Sequence, residues 1–151
     1  MTARFALGID VGGTSIRAAI VDNLGRIAVQ SRRKTPAGMS AQDLVELILD
    51  LQAKLFRDAS FSSEKLRAIG LALPGLIDSS TGRVIRSVNL PGLEGHSPAI
   101  ELEKRTGIPA FVLLDRQGNI VKPRNEVKWR TARFFVPEEV LSYLKDLAST
   151  K

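Results

Sequence analysis

The sequence predicts a mixed α/β domain, a sheet with helices on both faces, closed by a C-terminal β-hairpin and helix. Three observations predict it. Residues 4–34 contain three strand-like runs joined by short glycine turns, a meander. Two continuously apolar runs, RAIGLAL (67–73) and PAFVLL (109–114), read as strands buried on both sides. Helical apolar spacing falls between and after those runs, giving the order βββ-α-β-α-β followed by a hairpin and a helix.

The first strand, Arg4 to Asp10, is apolar and ends in a carboxylate before the turn Val11-Gly12-Gly13-Thr14. Ser15 to Asp22 is the second strand, Asn23-Leu24-Gly25 the next turn, and Arg26 to Lys34 the third strand. Ser40 is an N-cap and Asp43 completes a capping box. Leu44, Val45, Leu47, Ile48, Leu51 and Leu55 then recur at helical spacing through Arg57. Pro74-Gly75 ends the strand at 67–73, and Arg83 to Ser87 is a short strand leading into Asn89-Leu90-Pro91-Gly92. Ser97-Pro98 opens a short helix that stops at Gly107. After the strand at 109–114, Asp115-Arg116-Gln117-Gly118 turns into a further strand at 119–122. A last helix opens at Pro137, with Val140, Leu141, Leu144 and Leu147 on one face.

A chain of 151 residues suits one domain, 1–151, with a real core. The apolar fraction of 44% and charged fraction of 25% are those of a globular protein, against wholesale disorder. No apolar run spans a bilayer and the N-terminus is no signal peptide, so the expected compartment is the cytoplasm, with no membrane partner. With no cysteine, disulfide scaffolds, thiolate metal sites and thiol catalysis are excluded. A lone histidine, His96, argues against a multi-histidine metal centre or a Ser-His-Asp enzyme. The net charge of +6 comes partly from Arg32-Arg33-Lys34 and from basic residues between Lys122 and Arg133. Nucleic-acid binding needs a motif as well as charge, and none is present. Trp129, Phe134 and Phe135 read as sheet packing.

The informative stretch is Gly8-Ile9-Asp10-Val11-Gly12-Gly13-Thr14. Glycines let backbone amides approach an anion closely, and successive amides form an anion-binding nest. Thr14 adds a hydroxyl donor, and Asp10 is placed to hold Mg²⁺ directly or through water. The pattern lacks the Gly-Lys-Ser/Thr of a Walker loop. A plain hairpin turn, with glycines for geometry alone, is the competing reading. Arg17, close by on the second strand, either assists a phosphate or is an ordinary surface arginine.

GIDVGGTSIRAAIVD resembles the first hairpin of the ROK family (repressors, open reading frames and sugar kinases), which includes bacterial glucokinases. IGLALPGLID, TGRVIRSVNLPGLEG and IELEKRTGIPAFV resemble further family segments in the same order, so the resemblance covers about residues 4–112. It implies a ribonuclease-H-like, actin-like ATPase lobe and transfer of the ATP γ-phosphoryl group to a hexose, with Mg²⁺ as cofactor. It places Asp10, Gly12, Gly13 and Thr14 on the phosphate side and Gly75 and Asn89 on the sugar side. It also places Asp115 where the family has its general base. Leu114 replaces the family's preceding asparagine, and Asp-x-x-Gly is equally a hairpin turn. The family's second lobe, with its zinc motif and second glycine loop, has no counterpart in this sequence, which implies a lobe inactive on its own.

Residues 106–151 resemble the end of a thioredoxin-like domain of the TlpA type, through TGIPAFVLLDRQGNIV and PEEVLSYLKDL. Without Cys-x-x-Cys no redox activity follows. The two resemblances meet at Thr-Gly-Ile-Pro-Ala-Phe-Val, so a natural fusion, a frameshift product and a deliberate chimera all remain open. Beside the sugar-kinase lobe stand two other readings: a folded scaffold without a ligand, and an interaction module using its basic C-terminal third. The sequence fixes neither the sugar nor the oligomeric state.

Overall fold

A computed structural model describes residues 4–78 and 80–112. The strands are β1 (Phe5–Val11), β2 (Ser15–Asp22), β3 (Ile27–Lys34), β4 (Leu66–Ala72), β5 (Leu76–Ile77), β6 (Val84–Arg86) and β7 (Ala110–Val112). The helices are α1 (Ala41–Ala59) and α2 (Pro98–Thr106), with 3-10 turns at Ser63–Lys65 and Pro91–Leu93. The hairpin partner at 119–122, the helix from Pro137, and Asp115, Trp129, Phe134 and Phe135 lie outside the described residues. So does nearly all of the thioredoxin-like resemblance.

The main sheet has the order β3-β2-β1-β4-β7. The meander β1-β2-β3 is antiparallel, and β4 and β7 add to it in parallel. Alternation along the strands sorts the two faces. On one face Leu7 lies opposite Ile20 and Ile69, Ile9 opposite Ala18 and Leu71, and Val11 opposite Ile16. All of these are buried. The other face carries Ala6, Gly8 and Asp10 of β1, with Gly8 opposite Gly70.

Helix α1 exists because its apolar residues recur on one stripe and its ends are well satisfied. The Ser40 hydroxyl accepts the Asp43 amide at 3.1 Å, and the Asp43 carboxylate accepts the Ser40 amide at 2.9 Å, the reciprocal box that the spacing predicts. The helix runs two residues beyond Arg57 and stops at Ser60, which adopts a left-handed φ of 53°. Leu44, Ile48, Leu51 and Leu55 are fully buried against the sheet, each contributing roughly 1.5–3 kcal/mol relative to exposure.

Helix α2 starts at Pro98 and ends on Gly107, whose φ is 68° and whose amide donates to the Glu103 carbonyl. Ser97 sits at the N-cap position without capping, and its hydroxyl donates to the Thr81 carbonyl instead. The two helices touch, and Arg105 of α2 forms a forked ion pair with Glu46 of α1 at 2.7 and 3.3 Å. Both crossovers, β1 to β4 and β4 to β7, run between adjacent parallel strands in the same direction, and right-handed connections of that kind place their helices on one face. The described helices therefore share the Leu7–Ile9 face. Strand β5, two residues long, has no counterpart in the sequence reading, being too short to carry a periodicity. It pairs with β6 as a separate hairpin (Leu76 opposite Arg86).

Candidate functional site

In the middle of the sheet β1 and β4 lie side by side and parallel, and Asp10 is opposite Ala72 near their carboxyl ends. From β1 the chain turns toward β2 on one side. From β4 it proceeds to α2 and β7 on the other. Where connections diverge from neighbouring parallel strands a crevice opens, the preferred ligand position in sheets of this kind. A cleft of about 850 Å³ occupies that place. One wall is the β1–β2 turn with Asp10, Gly12, Gly13, Thr14 and Arg17, and the other is formed by residues 72–76 with Arg86, Val88 and Asn89. The six phosphate- and sugar-side residues named from the sequence thus come together, while Asp115 lies outside the described residues.

The turn is tight and closed by its own backbone. The Gly12 amide donates to the Ser15 carbonyl at 3.0 Å, closing the hairpin. A Cβ on Gly12 would stand 3.0 Å from that same carbonyl oxygen, and one on Gly13 would stand 3.0 Å from the Asn89 Cβ. Both positions favour glycine through close approach. Among the described residues, the Gly13 and Thr14 amides and the Thr14 hydroxyl have no protein acceptor, and Gly13 and Thr14 are exposed. They are donors held at a cleft and left free for an outside acceptor.

Thr35, just past β3, holds the turn from behind. Its hydroxyl donates to the Gly12 carbonyl at 2.6 Å and its amide to the Thr14 carbonyl at 3.0 Å, and the residue is 6% exposed. Two carbonyls are thereby engaged away from the cleft. Sequence reasoning passed over Thr35. The signal was the β2–β3 register: once Ser15 is placed opposite Lys34, Thr14 and Thr35 become neighbours.

On the opposite wall Gly75 has φ of 131°, and any Cβ there would overlap the Arg86 carbonyl. Glycine lets the link from β4 cross β6 at close range. The loop carrying exposed Asn89 is fixed on both sides: the Ser87 amide donates to Glu94 at 2.9 Å and Arg83 Nε donates to the Gly95 carbonyl at 2.7 Å. Gly92 lies against the Met39 carbonyl, where a side chain would collide. His96 is exposed, ahead of α2, as its position in the sequence suggests.

The charged residues lining the cleft are one carboxylate, Asp10, and two guanidinium groups, Arg17 and Arg86. No group of three metal-ligating side chains occurs among the described residues. A single carboxylate in the cleft suits Mg²⁺, which binds through one or two carboxylates together with phosphate oxygens and water. No described helix is long and apolar enough to cross a membrane.

The sheet order, with its crevice beside the glycine turn, matches the actin-like ATPase lobe seen in solved ROK sugar-kinase structures. The ROK family profile matches residues 6–121, and the chain belongs to the ROK family. The match runs past residue 112 and takes in Asp115. The chain is 31% identical over 120 residues to a glucokinase of Halalkalibacterium halodurans, covering 80% of this chain and 36% of that protein. It is 33% identical over 112 residues to an N-acetylmannosamine kinase of Salmonella paratyphi B, covering 74% of this chain and 36% of that protein. Its fold matches a ROK family glucokinase from Streptomyces griseus, solved in complex with glucose and AMPPNP, with a TM-score of 0.61 and 27% identity, over 72% of this chain and 32% of that one. The chain spans 36% of the length of each of the two curated relatives.

Proposed function

We propose that this chain carries the phosphate-side half of an ATP-dependent hexose kinase site. The observation that carries the reading is the β1–β2 turn, where the Gly13 and Thr14 amides and the Thr14 hydroxyl have no acceptor among the described residues and lie at the cleft, backed by the Thr35 clasp. These donors would hold nucleotide phosphate oxygens, and Asp10 would hold Mg²⁺ directly or through water. When bound, Mg²⁺ neutralises charge on the transferring phosphoryl group. Asn89, beside Gly13, would hydrogen-bond the sugar, with Gly75 shaping the wall below it. Asp115 would take the proton from the attacking sugar hydroxyl. Asp115 lies within the residues that the family profile matches. The relatives named above are kinases of glucose and of N-acetylmannosamine, so the substrate class is a hexose.

Titration of the 151-residue chain with Mg·ATP, followed by amide NMR, tests this. The expected result is saturable binding in the millimolar range, about −4 kcal/mol, with the largest shifts at Gly12–Thr14. Asp10→Ala should weaken it. The absence of any saturable shift in that turn at several times that concentration overturns the proposal.

A further inference from the structure

We propose that the sheet face turned away from α1 and α2 seats this chain's own C-terminal segment, residues 137–148, as a helix whose first turn lies at the cleft end. Strand register lays that face out in three rows. Nearest the cleft, Arg32, Arg17, Asp10 and Ala72 lie side by side on β3, β2, β1 and β4. The second row is Gln30, Ala19, Gly8 and Gly70, and the third is Ile27, Val21, Ala6 and Ala68. Directly paired residues share a face, and alternation sets these rows on the side opposite Leu7 and Ile9.

Apart from Gln30, the second and third rows hold only glycine, alanine, valine and isoleucine. Parallel strands such as β1 and β4 occur in sheets covered on both faces, and the described helices cover one. The burial along the rows points to a cover on the other. Ala68 on β4 is 1% exposed and Ala6 on β1 is 7% exposed, although neither helix lies on their side. Gly70 is buried too, while Ala19 and Val21 on β2 are half-buried. On β3 the shielding is gone, and Ile27 is 60% exposed. An element lying along β1 and β4 accounts for this gradient.

The segment 137–148 fits that seat in pattern, length and charge. Pro137 suits the first helical position, and Val140, Leu141, Leu144 and Leu147 make one apolar stripe. Along a helix Leu147 lies about 13 Å from the Glu138–Glu139 pair. Along the strands the third row lies about 13 Å from the Arg17 row. With the two glutamates level with Arg17 and Arg32, Val140, Leu141 and Leu144 fall around the second row and Leu147 on the third. Small residues there let a helix approach closely. Because β7 runs parallel to β4, residues 113–136 leave from the cleft end, and they are long enough to return to it. A second copy seated face to face would bring one carboxylate, Asp10, for two arginines, a poorer charge match. The family match ends at residue 121, so this cover belongs to no part of the chain that the family profile describes.

The chain has no cysteine, so introduced thiols report without background. The test uses the 151-residue chain with the pair Ala19→Cys and Leu144→Cys, treated with a short bifunctional thiol reagent. The control pair is Arg33→Cys and Leu144→Cys, since exposed Arg33 pairs with Ile16 and sits on the other face. The first pair should link within one molecule about tenfold or more faster than the control, as a docked segment has the higher effective concentration. Equal rates overturn the proposal. Reversing the acidic turn with E138K/E139K should slow that linking by about two- to fivefold, and an unchanged rate overturns the assigned direction. Leu144→Asp should lower the melting temperature and raise the binding of an apolar dye. Parent-like values for both overturn the seat. If Ala19→Cys alone links two copies at micromolar concentration, the cover is a second copy and the proposal fails.

Discussion

Thr35 spends both its donors on the carbonyls of the glycine turn. Thr35→Val keeps the shape and removes the hydroxyl, leaving the Gly12 carbonyl without that partner. Stability should fall by about 1 kcal/mol, and hydrogen exchange of the Gly13 and Thr14 amides should accelerate by more than the global loss accounts for. Thr35→Ser should restore protection. Equal acceleration across the whole sheet would reduce Thr35 to an ordinary buried hydrogen bond. Gly75→Ala should be more costly, because the new methyl meets the Arg86 carbonyl at a φ that side chains avoid. A loss of about 2–4 kcal/mol is expected from overpacking and backbone strain together, read from denaturant midpoints. At this scale the glycine turn at the cleft was legible, since a carboxylate, two glycines and a threonine in succession need no partner to be noticed. Thr35 was not, because its meaning lies in a contact 21 residues back along the chain from Thr35 to Thr14.

Helix α1 shows what local pattern settles by itself. Its stripe, its capping box and its approximate length were all legible, because each depends on residues within one or two turns. Strand β5 and the turning of the Ser97 hydroxyl to Thr81 instead of to the helix were not, since both depend on what the rest of the chain brings near them. The shared face of α1 and α2 follows from strand order, which no single segment carries. The capping box has a pH signature. Hydrogen bonds from the Ser40 hydroxyl and then its amide hold the Asp43 carboxyl below the usual aspartate range. A lowered folded value means stabilisation present above the unfolded value, about pH 4, and lost as pH falls through the folded one. Asp43→Asn should flatten the acid side of the pH–stability profile by that contribution. An acid limb identical to the parent's would show that the box contributes nothing. Within the same helix Leu51→Ala, at a site with no exposure, should cost about 2–5 kcal/mol in thermal or urea unfolding.

On the scale of the whole molecule the described residues form one continuous core beneath a cleft with two identified walls. Phosphoryl transfer depends on positioning and electrostatic stabilisation from several directions at once. On the function proposed above, the glycine turn supplies one of them, and each contact left exposed to water is weakened. The 151-residue chain on its own should therefore turn over glucose or N-acetylmannosamine well below about 1 per second, the low end for kinases. A coupled ADP-release assay measures this, with Asp115→Asn and Asp10→Ala as controls. Faster sugar-dependent turnover that vanishes in both variants would mean that the chain assembles a complete site. Met39 abuts Gly92, the loop from Gly92 leads back to Asn89, and Asn89 rests on Gly13. The start of the long helix thus acts as a datum from which the gap between the two walls is measured, and two missing methyl groups serve as its spacers. Specificity engineering that swaps the Asn89 loop alone inherits that gauge, so it should be paired with changes around Met39.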